Sequence, residues 1–230
     1  MRRWVREELK KNPIAVFVIQ AIVYVKNNRQ NLMVTLVGIV VIGLFAGVII
    51  KNKINENREA GRIFAFIQND FYSFNYKKAI DKIKDVENKF GSAKIMDHVI
   101  YLKALAYYRM GKTEEAIKIL EECINSYQKS KVIDNMRLVL ATMMEETSKY
   151  DKAFLEYDKI GENSYLKPEA LSGQARIAEL QGDTKKAINI YKVIQSHYVN
   201  SYWGNFAKTR LLLFGVNPIE AQEFIPKMGK

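Results

Sequence analysis

The chain has 230 residues, 48% hydrophobic and 27% charged, with a net charge of +11. That balance excludes a disordered chain and a wholly membrane-embedded one. A single cysteine, Cys123, excludes a disulfide framework and any Cys-rich metal site, and 12 Gly against only 4 Pro favour helices over a turn-rich all-β fold.

The charge is uneven along the chain. Residues 1–29 hold seven Lys/Arg and two Asp/Glu, whereas residues 51–230 hold 29 and 23 with the signs interspersed. A nucleic-acid surface would cluster its basic residues on one face, so that class is not expected.

Residues 1–31 read as a basic tail carrying Arg2, Arg3, Arg6, Lys10, Lys11, Lys26 and Arg29. Within it, residues 14–25 (IAVFVIQAIVYV) are apolar but span only roughly 18 Å as a helix, too short to cross a bilayer. They read as an interfacial segment with its basic flanks on lipid headgroups, or as a contact for a partner's membrane helix.

Residues 32–50 (LMVTLVGIVVIGLFAGVII) pass without a charge and would extend about 28 Å as a helix, close to the hydrocarbon thickness of a bilayer. The run exceeds the apolar core of about 7–15 residues in a cleaved signal peptide, and no A-x-A-like site follows it. An uncleaved transmembrane anchor is the expectation. Seven basic residues precede it, and Lys51, Lys53, Arg58 and Arg62 follow closely. That bias is expected to keep the N-terminus cytoplasmic and to export the rest. Gly43 and Gly47 form a G-x-x-x-G, spacing that lets two helices approach and leaves room for self-association.

The remainder is a repeat. NYKKAIDKIKDV from Asn75, KTEEAIKILEEC from Lys112, KYDKAFLEYDKI from Lys149 and DTKKAINIYKVI from Asp183 align on Ala79, Ala116, Ala153 and Ala187, spaced by 37, 37 and 34 residues. Each carries an apolar stripe at helical spacing, and an amphipathic helix precedes each, over roughly residues 56–71, 95–109, 133–147 and 167–180. Gly111 and Gly182 stand where the preceding helix needs a positive φ to end; Ser73-Phe74-Asn75 and Thr147-Ser148-Lys149 fill those places in units one and three. Repeated antiparallel helix pairs give an all-α fold, an α-solenoid of about four hairpins over residues 51–200 preceded by one transmembrane helix. Residues 201–230 supply a capping helix (YWGNFAKTRLLLF) and a tail marked by Pro218 and Pro226.

On these residues the chain resembles tetratricopeptide-repeat proteins. Aligning Ala116 on that family's last small position puts Ala104, Tyr107 and Gly111 on its other three. Unit four gives Ala175, Ala178, Gly182 and Ala187, unit three Ala141, Met144, Ser148 and Ala153, and unit one has Ile67 and Asp70 where Ala and Tyr are usual. The resemblance implies that the first helices line a groove for peptides or partner helices. Carried over, that groove holds Phe64, Phe71, Tyr72, His98, Tyr101, Leu105, Tyr108 and Arg109 in units one and two, its aromatic and apolar end, and Leu138, Thr142, Glu145, Glu146, Arg176 and Glu179 in units three and four, its polar end. The alternative is that the aromatic stripe packs on itself.

No catalytic motif, cofactor fingerprint or metal-ligand spacing is present, so no enzyme, cofactor or metal is expected. His98 and His197 read as helix-surface residues, Cys123 as a small hydrophobe, and the pairs Glu121-Glu122 and Glu145-Glu146 as solvated charge. The architecture is similar to single-pass inner-membrane tetratricopeptide proteins ancillary to the secretory translocon. It implies a tethered adaptor for protein clients or periplasmic chaperones, or else a scaffold of an envelope complex for cell division or cell-wall assembly.

Overall fold

The computed structural model describes residues 13–217. The basic positions before residue 13, and Pro218 and Pro226 of the tail, lie outside the described residues. Among the described residues there are ten helices and no strand. The chain divides into two compact units, Met1–Glu56 and Asn57–Lys230.

In the first unit, α1 (Pro13–Asn27) opens with proline, whose missing N–H costs a first turn nothing. The apolar side chains of α1 from Phe17 to Val25 are exposed. Helix α2 (Arg29–Tyr72) begins after Asn28, whose side-chain amide donates back to the Tyr24 carbonyl. The part of α2 over residues 33–50 leaves its side chains uncovered all round, and this helix alone, among the described residues, is long and apolar enough to cross a membrane.

The sequence separates the apolar run from the first repeat helix, whereas the structure makes them one helix of 44 residues. The reason is local. Residues 51–58 (KNKINENR) contain neither Gly nor Pro, and Lys53 pairs with Glu56 one turn on at 3.2 Å, so nothing interrupts the ladder.

In the second unit the end of α2 is followed by α3 (Tyr76–Phe90), α4 (Met96–Arg109), α5 (Thr113–Ser126), α6 (Ile133–Glu146), α7 (Tyr150–Asp158), α8 (Lys167–Leu180), α9 (Thr184–His197) and α10 (Tyr202–Leu213). From α3 onward each helix packs on the next in sequence, and α8 also meets α6 and α10. That nearest-neighbour order is how a solenoid is built.

The four repeat alanines are fully buried, and so are the residues twelve before them: Ile67, Ala104, Ala141 and Ala175. Small side chains at these crossings let the helix axes come within about 8–10 Å. Ile67 shows that unit one keeps the register of the others despite its larger side chain. One and two turns after each alanine, Ile83 and Val86, Leu120 and Cys123, Tyr157 and Ile160, and Tyr191 and Ile194 are also buried. Each such side chain contributes about 1.5–3 kcal/mol of burial.

The turns repeat as closely as the core. Phe74, Gly111, Ser148, Gly182 and Gly215 all have positive φ, between 58° and 77°. In each case the next residue's N–H returns to a carbonyl five residues back: Asn75 to Asp70, Lys112 to Tyr107, Lys149 to Met144, Asp183 to Ala178 and Val216 to Leu211, at 2.8–3.0 Å. This is the Schellman closure, which satisfies carbonyls that the helix end leaves orphaned. The capping helix α10 therefore ends as the first helix of each unit does, and it closes the last core cluster with Ala207 and Leu211.

Candidate functional site

The first helices of the units (the end of α2, then α4, α6 and α8) present equivalent positions side by side. One such row is Phe71, Tyr108, Glu145 and Glu179; another is Phe64, Tyr101, Leu138 and Ser172. The face is thus aromatic across units one and two, whereas in units three and four one row carries Glu145 and Glu179 and the other Leu138 and Ser172.

The aromatic residues are neither free nor submerged. Phe64, Phe71, Tyr101, Leu105, Tyr108 and Leu138 are half-buried, each packed against a core cluster on its inner side. Phe64 meets the His98 ring edge-on with centroids 6.4 Å apart, and Phe71 meets Tyr72 edge-on at 5.4 Å. Tyr72 and Arg109 are exposed. The rings thus pack on one another on their inner side and keep an outer edge open.

Burial pushes the Tyr101 hydroxyl up to about 12, with Tyr165 and Tyr72 near enough to add to the effect. Tyr108 is also raised to about 12, by burial first and then by its hydrogen bond to Glu146. The Tyr108 hydroxyl donates to the Glu146 carboxylate at 2.7 Å, joining unit two to unit three.

Glu145 corrects the reading of its pair as solvated charge. Its side chain is nearly buried and is held by Arg176 of the next unit, Nε to Oε1 at 2.5 Å and Nη2 to Oε2 at 2.8 Å, with the Tyr157 hydroxyl donating at 3.0 Å. Glu179 is held in the same manner by Arg210 of α10. The polar end of the face is internally neutralised. Spacing within a helix does not report this, because each pair joins residues 31 apart on different helices.

Tyr165, in the connection before α8, was also missed. It is 77% exposed, and its hydroxyl accepts from the Asn135 side-chain amide at 3.0 Å. An aromatic in a polar connection (GENSYLKP) was the available signal.

His98 has a partner that spacing arguments overlooked: its Nδ1 lies 2.7 Å from Oδ1 of Asp97, which also accepts the His98 N–H. Cys123 is buried against Met136 Sδ at 3.8 Å, and burial pushes its thiol up to about 12, as expected of a small hydrophobe. Among the described residues no three His, Cys, Asp or Glu side chains converge on one point. Gly43 and Gly47 lie on α2, and a Cβ at either would meet nothing within 4 Å.

No curated protein matches this chain in sequence. Among solved structures, Pseudomonas aeruginosa PilF superposes with a TM-score of 0.52 at 14% identity, covering 66% of each chain, so this chain spans just under two thirds of its length. BtubC (BKLC) of P. vanneervenii gives a TM-score of 0.55 at 11% identity over 77% of this chain and 86% of its own. A putative kinesin light chain of Podospora anserina, described by its nearly identical TPR-like repeats, gives 0.52 at 14% over 74% and 89%. At these identities the likeness is one of fold. The family model for the N-terminal tetratricopeptide-repeat region of Psidin matches residues 62–204, more than half of the chain. Repeat spacing, turn geometry and this match agree, and the chain belongs to the tetratricopeptide-repeat family.

Proposed function

We propose that this protein is a membrane-anchored, non-enzymatic adaptor whose repeats bind protein or peptide segments on the face formed by their first helices. Repeats of this family are protein-interaction modules, and the open part of this face defines what it takes. The observation that carries the reading is the contrast along the face. In units three and four Glu145 and Glu179 are already paired with Arg176 and Arg210, whereas in units one and two Phe64, Phe71, Tyr101 and Tyr108 keep open apolar edges. An apolar partner side chain gains there by leaving water.

The finer reading concerns place. Residues 32–50 would cross the bacterial inner membrane once, with the N-terminus cytoplasmic and the repeats in the periplasm. The client would be an exported or envelope protein met at the secretory translocon, or a periplasmic chaperone. The flanking-charge bias and the apolar exposure of α2 support this. Tethering would raise the effective concentration of the face, so weak contacts suffice.

Affinity purification from mild detergent tests the reading, with wild type compared against Tyr101→Ala/Tyr108→Ala. The variant should keep its helical circular dichroism and lose the co-purifying proteins. Unchanged recovery would exclude the face. Protease protection of the repeats in sealed inner-membrane vesicles tests the topology separately.

A further inference from the structure

The turn that ends the first helix of every unit requires a left-handed residue. Gly111, Gly182 and Gly215 meet that need, and Ser148 is small. Unit one uses Phe74, at φ 62°. An L-residue there is disfavoured by sterics, and burial does not offset the strain, because the ring is 78% exposed.

Around Phe74 lies a patch that no other unit repeats. Its ring meets Tyr76 edge-on at 6.3 Å, Tyr76 meets Phe71 at 5.4 Å, and Phe71 meets Tyr72, itself 70% exposed. Met110, from the corresponding turn of unit two, is 41% exposed. Phe74, Tyr76 and Met110 line a cleft of about 450 Å³ with Asn75, Lys77, Lys78 and Asp81.

The charge there is net basic, two lysines against the single carboxylate of Asp81 in the cleft lining. Lys77 and Lys78 are exposed and make no ion pair among the described residues, whereas Asp70 is taken by Lys82 at 2.5 Å and Asp81 lies 3.9 Å from Lys84. The start of α3 adds to this. It has no acidic residue in its first turn and no side-chain cap. By contrast, α5 has Glu114 and Glu115, α7 has Asp151, and α9 is capped by Asp183. The positive end of α3 is thus uncompensated beside two free lysines and an apolar cleft.

We infer that this turn edge of units one and two is a second binding site, for an acidic linear segment of a protein partner that carries an aromatic or aliphatic side chain. The apolar side chain enters the cleft between Phe74 and Met110, and the flanking carboxylates meet Lys77 and Lys78. A bounded cleft of about 450 Å³ beside two lysines fits a peptide segment better than a bilayer surface, which a broad basic face would meet. The cleft lies on the turns and touches the helix face proposed above only through Phe71 and Tyr72, and its test does not depend on that proposal.

The test uses the full chain in phosphatidylcholine nanodiscs and a fluorescein-labelled peptide, Glu-Glu-Phe-Glu-Glu-Leu-Glu, followed by anisotropy. Phe74→Gly installs the residue of units two and four, so the fold is kept and the thermal midpoint should not fall. Binding should weaken about tenfold or more in Phe74→Gly and in Lys77→Gln/Lys78→Gln. Tyr101→Ala, on the helix face, should leave it unchanged, and a peptide with Lys in place of Glu should not bind. Wild-type affinity in Phe74→Gly, equal binding of the Lys peptide, or no binding at all would overturn the proposal. Unchanged peptide binding in both variants, together with their loss of binding to phosphatidylglycerol vesicles, would reassign the patch to lipid and also overturn it.

Discussion

Arg176 grips Glu145 of the preceding unit with both prongs of its guanidinium, at 2.5 and 2.8 Å. The carboxylate also accepts from the Tyr157 hydroxyl, so one side chain ties α6, α7 and α8 together. Glu145→Ala should therefore destabilise the repeats by about 1–3 kcal/mol, since it leaves a largely buried phenol and a guanidinium short of an acceptor. Glu146→Ala, which removes only the exposed bond from Tyr108, should cost less. Urea unfolding of the two variants checks the order; equal midpoints would contradict it.

Gly173 sits under the ring of Tyr157, and a Cβ there would run into that ring. Tyr157 is buried and held through its hydroxyl by Glu145 and near Thr142, so it has no easy retreat. Gly173→Ala should destabilise by about 1–3 kcal/mol through overpacking. Tyr157→Phe in the same background keeps the ring and should not rescue it, whereas Tyr157→Leu should recover part of the loss. Thermal melts of the three variants decide.

At the left-handed turns the sign depends on what is there now. Gly182→Ala should lose about 1 kcal/mol through backbone strain alone, because a Cβ there meets nothing within 4 Å. Ser148→Gly relieves the same strain, against a larger unfolded-state entropy, and should be neutral to stabilising by up to about 1 kcal/mol. A loss of stability in Ser148→Gly would show that the Ser148 side chain matters more than its backbone.

Asp97 should make the repeats acid-sensitive. Burial alone would raise its carboxyl, but hydrogen bonds from Ser130 and His98 outweigh it and hold the group below 3.8. A carboxyl depressed in the folded state stabilises above its unfolded value, and that contribution is lost as pH falls through the folded value. Asp97→Asn should be less stable than wild type at pH 7, with the gap closing as pH falls through and below the ordinary aspartate range. A gap independent of pH would place the effect in packing.

The fold was legible because two signals are local and strong. Alanines recurring at fixed spacing mark the helix crossings, and Gly111 and Gly182 mark turns that only a left-handed residue closes. Unit one was obscured because Ile67 and Phe74 occupy positions where the pattern wants small residues, yet the structure keeps its register and its turn. The site was less legible. Whether Glu145 is solvated or paired depends on how far one unit is rotated on the next, which no spacing within a helix reports. Tyr165 lies in a connection outside the helical pattern. The run of α2 through residues 51–58 was hidden by polarity, which marks the end of an apolar segment but not the end of a helix.

The central claim is that partners bind on the first-helix face. Photo-crosslinking of the full chain in its native membrane tests it most directly. Benzoylphenylalanine would replace Leu138 on that face and Lys118 on the exposed side of α5. Discrete adducts from position 138, absent from position 118 and lost when Tyr101→Ala/Tyr108→Ala is added, are the predicted result. Equal adducts from both positions, or adducts from 138 that survive the double substitution, would contradict it.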